Sequence, residues 1–330
     1  MRVFGSLIAL IISTVTLILV VLAAVVLTLP DVHQLEKCFT TSMFKVYLCP
    51  QSDNYVRLQN ISPYVLHAVI AAEDGAFYSH KGFDWNELKA SFQTNLRSGG
   101  FRRGGSTLTQ QLAKNAFLTQ DKSLLRKIKE AYLANAIEHE FKKDFILEKY
   151  LNVVEFGPDI YGVKAAANHY FQKSPSALHP LEAAFLAFLL PNPKEYSKSF
   201  RNGQLTKFAH KMITIILKRM VAFGKLTPPA YQTAMASIDS FPWNGLTIGS
   251  FQGRPSHSLD ATISPGNEQD LTIDEESLEE IMRESDLISA EPRKVEPKAP
   301  PPAEEPTNES PSPEGEESSS FDNQEDSSAQ

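Results

Sequence analysis

The apolar pattern opens with an unbroken run: from Val3 to Leu29, 27 residues pass without an Asp, Glu, Lys or Arg. A bilayer core takes about 20 residues of spanning helix, whereas the core of a signal peptide has about 7–15. The run ends at Pro30-Asp31 with no small-residue cleavage site, so the pattern predicts an uncleaved transmembrane helix. Beyond it the apolar positions recur at helical spacing. Ser62-Pro63 reads as a helix start, with Val65, Val69 and Ala72 on one face. Further helices are expected over Asn86–Leu96, Thr107–Ala116, Ala165–Phe171, Pro180–Leu190 and Gln204–Phe223. A long helical stretch, Ser123–Asn152, carries a break near Lys142-Lys143-Asp144. Runs with strand alternation are scarce, so the body is expected to be mainly α. The patterning divides the chain into an anchor over 1–30, a connector over 31–54, a folded domain over 55–236, and a linker with a disordered tail over 237–330.

Charge sharpens this division. Residues 251–330 hold 21 Asp/Glu against 5 Lys/Arg, while residues 1–250 hold 18 against 27. A basic body therefore carries an acidic tail rich in Pro, Glu and Ser, which cannot bury enough apolar surface to offset its ordering entropy. With two Cys, Cys38 and Cys49, a disulfide-built scaffold and a Cys-rich zinc module are both excluded, and pairing of the two is left open. Arg2 alone precedes the apolar run, which points to a cytoplasmic N-terminus and a body on the outer face of the membrane. Nothing in the patterning implies nucleic acid as a partner.

Three places could carry chemistry. Glu73 and Asp74 are adjacent carboxylates at the end of an apolar helix. The negative end of a helix disfavours ionisation, and partial burial would raise a carboxyl pKa further, as a general base near neutral pH requires. The bland reading is a frayed helix end with solvated acids. Next, a Gly-rich basic segment around Arg102-Arg103 enters a helix through Ser106 and Thr107, followed by Gln110 and Gln111. Gly105 stands where a nucleotide P-loop needs its Lys, so that loop is rejected. What remains is a helix N-terminus suited to an anion, or an ordinary capped loop. Finally, Lys114, Lys122, Arg126, Lys127 and Lys129 surround Glu130, which shares a helix face with Leu133, Ala134 and Ile137 and has Arg126 at i−4. That carboxylate is either half of a structural ion pair or a site residue. Ser42-x-x-Lys45 lacks a Lys-Thr-Gly partner, and the scattered His80, His139, His169 and His179 lack metal-ligand spacing, so no metal site is expected.

The motifs Glu73–Phe83, Gly104–Asn115, Arg126–Glu130 and Lys143–Asn152 resemble, in order, the first four signature motifs of the family 51 glycosyltransferases, the peptidoglycan glycosyltransferases. The resemblance covers about residues 55–225, and Glu155-Phe156-Gly157 through Ala167 with Leu190-Pro191-Asn192-Pro193 is most similar to the monofunctional biosynthetic branch. It implies a lysozyme-like two-lobe domain behind one transmembrane helix of the bacterial inner membrane, on the periplasmic or outer face. It also implies polymerisation of glycan strands from lipid II with inversion. Glu73 would be the catalytic base and Glu130 the second essential carboxylate. Ser106, Thr107, Gln110, Gln111, Lys114, Lys122 and Arg126 would bind substrate. Implied partners are lipid II, nascent strands and the bilayer, with a transpeptidase or another periplasmic cell-wall protein as a candidate. No cofactor is required, and a divalent cation is allowed. Phe92, Phe101, Phe117 and Leu118 are the expected membrane-contact residues. Two positions depart from the family pattern: Lys122 stands where Arg is usual, and Met212-Ile213 stand near the usual Arg of the fifth motif, with Lys211 just upstream. The competing readings are a glycan-cleaving muramidase-type hydrolase and a catalytically silent scaffold acting through the tail.

Overall fold

The computed structural model describes residues 2–98, 105–121 and 123–253. Lys122, the Arg102-Arg103 segment with Phe101, and the acidic tail lie outside the described residues, as does the side chain of Phe92. The body is mainly α. After α1 (Arg2–Leu27) come a short hairpin, β1 (Phe39–Thr40) and β2 (Tyr47–Leu48), then α2 (Pro63–Glu73), α3 (Trp85–Ser98), α4 (Leu108–Phe117), α5 (Leu124–Glu140) and α6 (Lys143–Val153). A second small hairpin, β3 (Glu155–Gly157) with β4 (Ile160–Tyr161), leads into α7 (Val163–Phe171), α8 (Pro180–Leu189), α9 (Pro193–Tyr196), α10 (Lys198–Arg201), α11 (Lys207–Ala222) and α12 (Pro228–Ser237). Both hairpins are antiparallel pairs. Cys38 and Cys49 form a disulfide that closes the first.

α1 exposes Phe4, Leu7, Leu10 and Leu17. Among the described residues no helix is long and apolar enough to cross a membrane. The expected N-terminal helix is therefore present, while a membrane span is not something the fold establishes.

All ten residues of α8 are buried. A helix apolar all round belongs at the centre of a core, and α2, α11 and α12 pack around it. α4 packs against α5 and α6. The break between α5 and α6 falls at Phe141 and Lys142, where the charged run interrupts the apolar stripe. Ser62 precedes α2, but its hydroxyl donates to the Leu178 carbonyl at 2.6 Å instead of capping the helix. It thus stitches α2 to the approach of α8. Phe117 and Leu118, expected at the membrane, are buried: Phe117 ends α4 and stacks on Phe39 of the first hairpin, and Leu118 caps the helix.

The packed body also runs past the sequence-based boundary at 236. Phe241, Trp243 and Phe251 are buried, the Trp243 indole N–H donates to the Ile238 carbonyl (3.1 Å), and Tyr64 Oη donates to the Gly253 carbonyl (3.0 Å). Three separated aromatic anchors leave no periodic trace, so this segment reads as linker in the sequence. The Phe251 ring stacks on the buried His179, 5.1 Å between centroids, and burial pushes the His179 pKa down to about 3, which keeps the imidazole neutral. Trp243→Ala should lower unfolding stability by about 3–5 kcal/mol, the usual range for removing a buried large aromatic. Denaturant titration against the unaltered chain reads this directly.

Candidate active site

Glu73 is the last residue of α2 and Asp74 its C-cap. The two neighbours face different surroundings. Asp74 is buried; its carboxylate accepts the Leu108 N–H at 2.9 Å, and His80 Nε2 lies 2.9 and 3.1 Å from its two oxygens. Asp74 thus ties the end of α2 to the first turn of α4. Gly82, at φ +87°, turns the intervening loop back so that its carbonyl accepts the Thr107 hydroxyl at 2.8 Å.

Glu73 is only partly buried. One of its oxygens accepts the Gln111 Nε2 amide at 2.8 Å, and Gln111 Oε1 in turn accepts the Tyr150 hydroxyl at 3.0 Å. Burial pushes the Glu73 carboxyl pKa up. The Gln111 hydrogen bond and the Lys114 ammonium pull it back, and the Asp74 charge adds to the rise. Burial lowers the Lys114 pKa; Glu130 and Glu73 oppose this, while Arg126 and Lys127 reinforce it. Lys114 is therefore electrostatically shared between the two carboxylates.

Glu130 is buried on α5 with Leu133, Ala134 and Ile137, as its spacing predicts. Its oxygens pair with Arg126 Nη1 at 3.3 Å and with Lys127 Nζ, and Lys127 also donates to the Ser106 hydroxyl at 2.9 Å. Glu73, Gln111, Lys114, Arg126, Glu130 and Ser106 are thus linked in one region. Thr107 and Gln110 are placed differently. Both are buried in a capping box, in which the Thr107 hydroxyl accepts the Gln110 N–H (3.2 Å) and Gln110 Oε1 accepts the Thr107 N–H (3.0 Å). The amides expected to greet an external anion are largely satisfied internally, since Leu108 N–H is taken by Asp74 and Gln110 N–H by Thr107. The cations, more than the helix amides, are the groups here able to meet an anion.

Lys127 and Tyr150 are additions to the expected set. Lys127 stands at i−3 from Glu130, a pairing the helical spacing already permits. Tyr150 has no such local signal, being 39 residues from Gln111. Among the described residues no group of three or more His, Cys, Asp or Glu could hold a metal ion.

A carboxyl whose pKa burial raises thus lies near a second, buried carboxylate paired with two cations, an arrangement able to take up a proton beside an anionic group. The transglycosylase family profile matches residues 41–221, and the chain belongs to that family. Among curated relatives it is similar to proteins named biosynthetic peptidoglycan transglycosylase. The one from Dechloromonas aromatica is 44% identical over 168 residues, 51% of this chain and 71% of the relative. That from Aromatoleum aromaticum is 49% identical over 146 residues, 44% of this chain and 64% of the relative. That from Acinetobacter baylyi is 49% identical over 141 residues, 43% and 62%. The chain therefore matches somewhat under two thirds of the length of the latter two.

If Gln110 serves the helix and not the substrate, Gln110→Ala leaves the buried Thr107 N–H without its partner and should cost about 1–3 kcal/mol of stability. The KM for substrate should stay unchanged. Thermal denaturation together with steady-state kinetics separates the two roles.

Proposed function

We propose that this protein polymerises peptidoglycan glycan strands from lipid II, acting from the outer face of the bacterial inner membrane. Glu73 takes the proton from the 4-hydroxyl of the acceptor lipid II. The freed oxygen attacks the anomeric carbon of the growing strand from the face opposite the leaving group, which inverts that centre. The bond to undecaprenyl pyrophosphate breaks, and its electron pair leaves with the pyrophosphate. Lys114, Arg126 and Lys127 meet the charge that develops there, and Glu130 holds the last two in place. The carrying observation is the juxtaposition of a carboxyl with a raised pKa and this cation cluster around a second, buried carboxylate. A muramidase-type hydrolase needs no such cluster, because a sugar leaving group carries no phosphate. Labelled lipid II against finished sacculi separates the two activities, and a chain lacking both would be the silent scaffold.

The reaction needs no group beyond these side chains and the substrates; a chelator tests whether a divalent cation accompanies the pyrophosphate. Two packing groups on either side of Glu73, α2 with α8 and α11 and α4 with α5 and α6, support the two-lobe arrangement. The membrane setting draws support from three features. α1 carries no charged residue after Arg2 and exposes Phe4, Leu7, Leu10 and Leu17 among others. Leu124, Ile128 and Tyr132 expose a stripe along α5, and Trp85 and Leu88 are exposed on α3. The Cys38–Cys49 disulfide suits an oxidising compartment. A transpeptidase or another periplasmic cell-wall protein is the partner such an enzyme would work beside, and the acidic tail is a candidate tether for a basic one.

Glu73→Gln keeps the shape and removes the proton acceptor, so turnover should fall by about 10²–10⁴-fold with folding intact. The unaltered enzyme should lose activity as pH falls through a limb lying above the ordinary carboxylate range, because the base works only when deprotonated and burial raises its pKa. A pH–rate profile with lipid II measures both. At Lys122, a point charge near phosphate tolerates Arg and not Ala. Lys122→Arg should retain activity while Lys122→Ala weakens it; equal rates for both variants and the unaltered chain would mark the position as plain surface.

A further inference from the structure

We propose that Tyr150 is a positioning residue for the base, acting through Gln111, and that the three side chains form a relay across the meeting point of α6, α4 and α2. This rests on the reading of Glu73 as the base. A glutamine amide can present either end to a carboxyl: its NH₂ group donates to a carboxylate, whereas its oxygen requires a protonated carboxyl opposite. Which end faces Glu73 is therefore a chemical choice. In the observed arrangement Gln111 Oε1 accepts the Tyr150 hydroxyl at 3.0 Å, which leaves Nε2 to donate to Glu73 at 2.8 Å. Flipping the amide would turn that oxygen away from the phenol hydrogen, and leaving a buried donor unpaired costs about 1–3 kcal/mol.

Tyr150 is suited to this task. It is fully buried in the last turn of α6. Burial, reinforced by the Glu73 and Asp74 charges, raises its pKa well above the ordinary phenol value, so it remains a donor throughout the working range. Gln111 lies in the first turn of α4, whose start is held by Asp74, so the amide has a fixed origin as well as a fixed orientation.

The Tyr150 hydroxyl bonds to Gln111. The other titratable and charged groups around Glu73 are Asp74 and His80 following α2, Lys114 on α4, and Arg126, Lys127, Glu130 and Glu138 on α5. Lys143 on α6 pairs with Glu138 at 2.7 Å, and Arg219 on α11 donates to the Ala71 carbonyl at 3.3 Å.

The test uses the full chain in detergent with lipid II, comparing Tyr150→Phe, Gln111→Met and the double variant across pH. Tyr150→Phe removes one oxygen and should move the acid limb up by about one pH unit, a tenfold loss at fixed pH on that limb. The KM should stay within about twofold of the unaltered value. Gln111→Met should move the limb at least as far, and the double variant no further, since without the amide the phenol has nothing to orient. A ¹³C titration of the Glu73 carboxyl in Tyr150→Phe gives the same shift independently of activity. An unmoved limb and unmoved carboxyl titration, or costs that add in the double variant, would overturn the relay. Glu73→Gln is run alongside: if it keeps more than a tenth of activity, the reading of the base itself falls. If it is inactive while Tyr150→Phe leaves the profile unmoved, only the relay falls.

Discussion

One carboxylate placed between two helix ends organises this molecule. Asp74 closes α2 and accepts the first amide of α4, so a carboxylate at the unfavourable negative end of one helix is held by the positive end of the next. With His80 against its other side, Asp74 has almost no freedom. Glu73, one residue earlier, inherits that rigidity without sharing the partners. It is left at the edge of the core, held by a single amide, with its charge disfavoured by burial. Two chemically alike neighbours thus take different partners, Asp74 a backbone amide of α4 and Glu73 a side-chain amide.

The same division appears across the site. Thr107 and Gln110 are spent on starting α4, while Gln111, one residue on, turns to Glu73. On α5, Glu130 sinks into the apolar face and draws Arg126 and Lys127 over it. A buried carboxylate with two cations holds those cations where a long exposed side chain would otherwise wander. The residual positive charge faces the region where Lys114 stands between both carboxylates.

Much of this was legible beforehand because it is local. The helical spacing located α2, α4, α8 and α11, and the break between α5 and α6 followed from a run of charges in an apolar stripe. The burial of Glu130 followed from its sharing a face with Leu133 and Ile137. The departures have equally definite causes. Phe117 and Leu118 are apolar, and apolarity alone does not distinguish a core face from a lipid face. Residues 237–253 pack through isolated aromatics, which leave no period to read. α12 was missed although Thr227 and Pro228 form a usable helix start.

The sequence by itself determined the mainly helical body, the apolar N-terminal segment, the acidic tail, the family to which the chain belongs and the placement of Glu73 at a helix end and Glu130 on an apolar helix face, since each rests on composition, spacing or contiguous motifs. Only the tertiary structure decided which partner each of these polar side chains meets. Asp74 accepts the Leu108 N–H, Glu73 the Gln111 amide and Gln111 the Tyr150 hydroxyl from partners 34 to 39 positions away in the chain, whereas Gln110 is held locally by Thr107. Hydrogen bonding is directional and short in range, so a side chain's role depends on what folding brings within about 3 Å of it, and no local pattern encodes that distance.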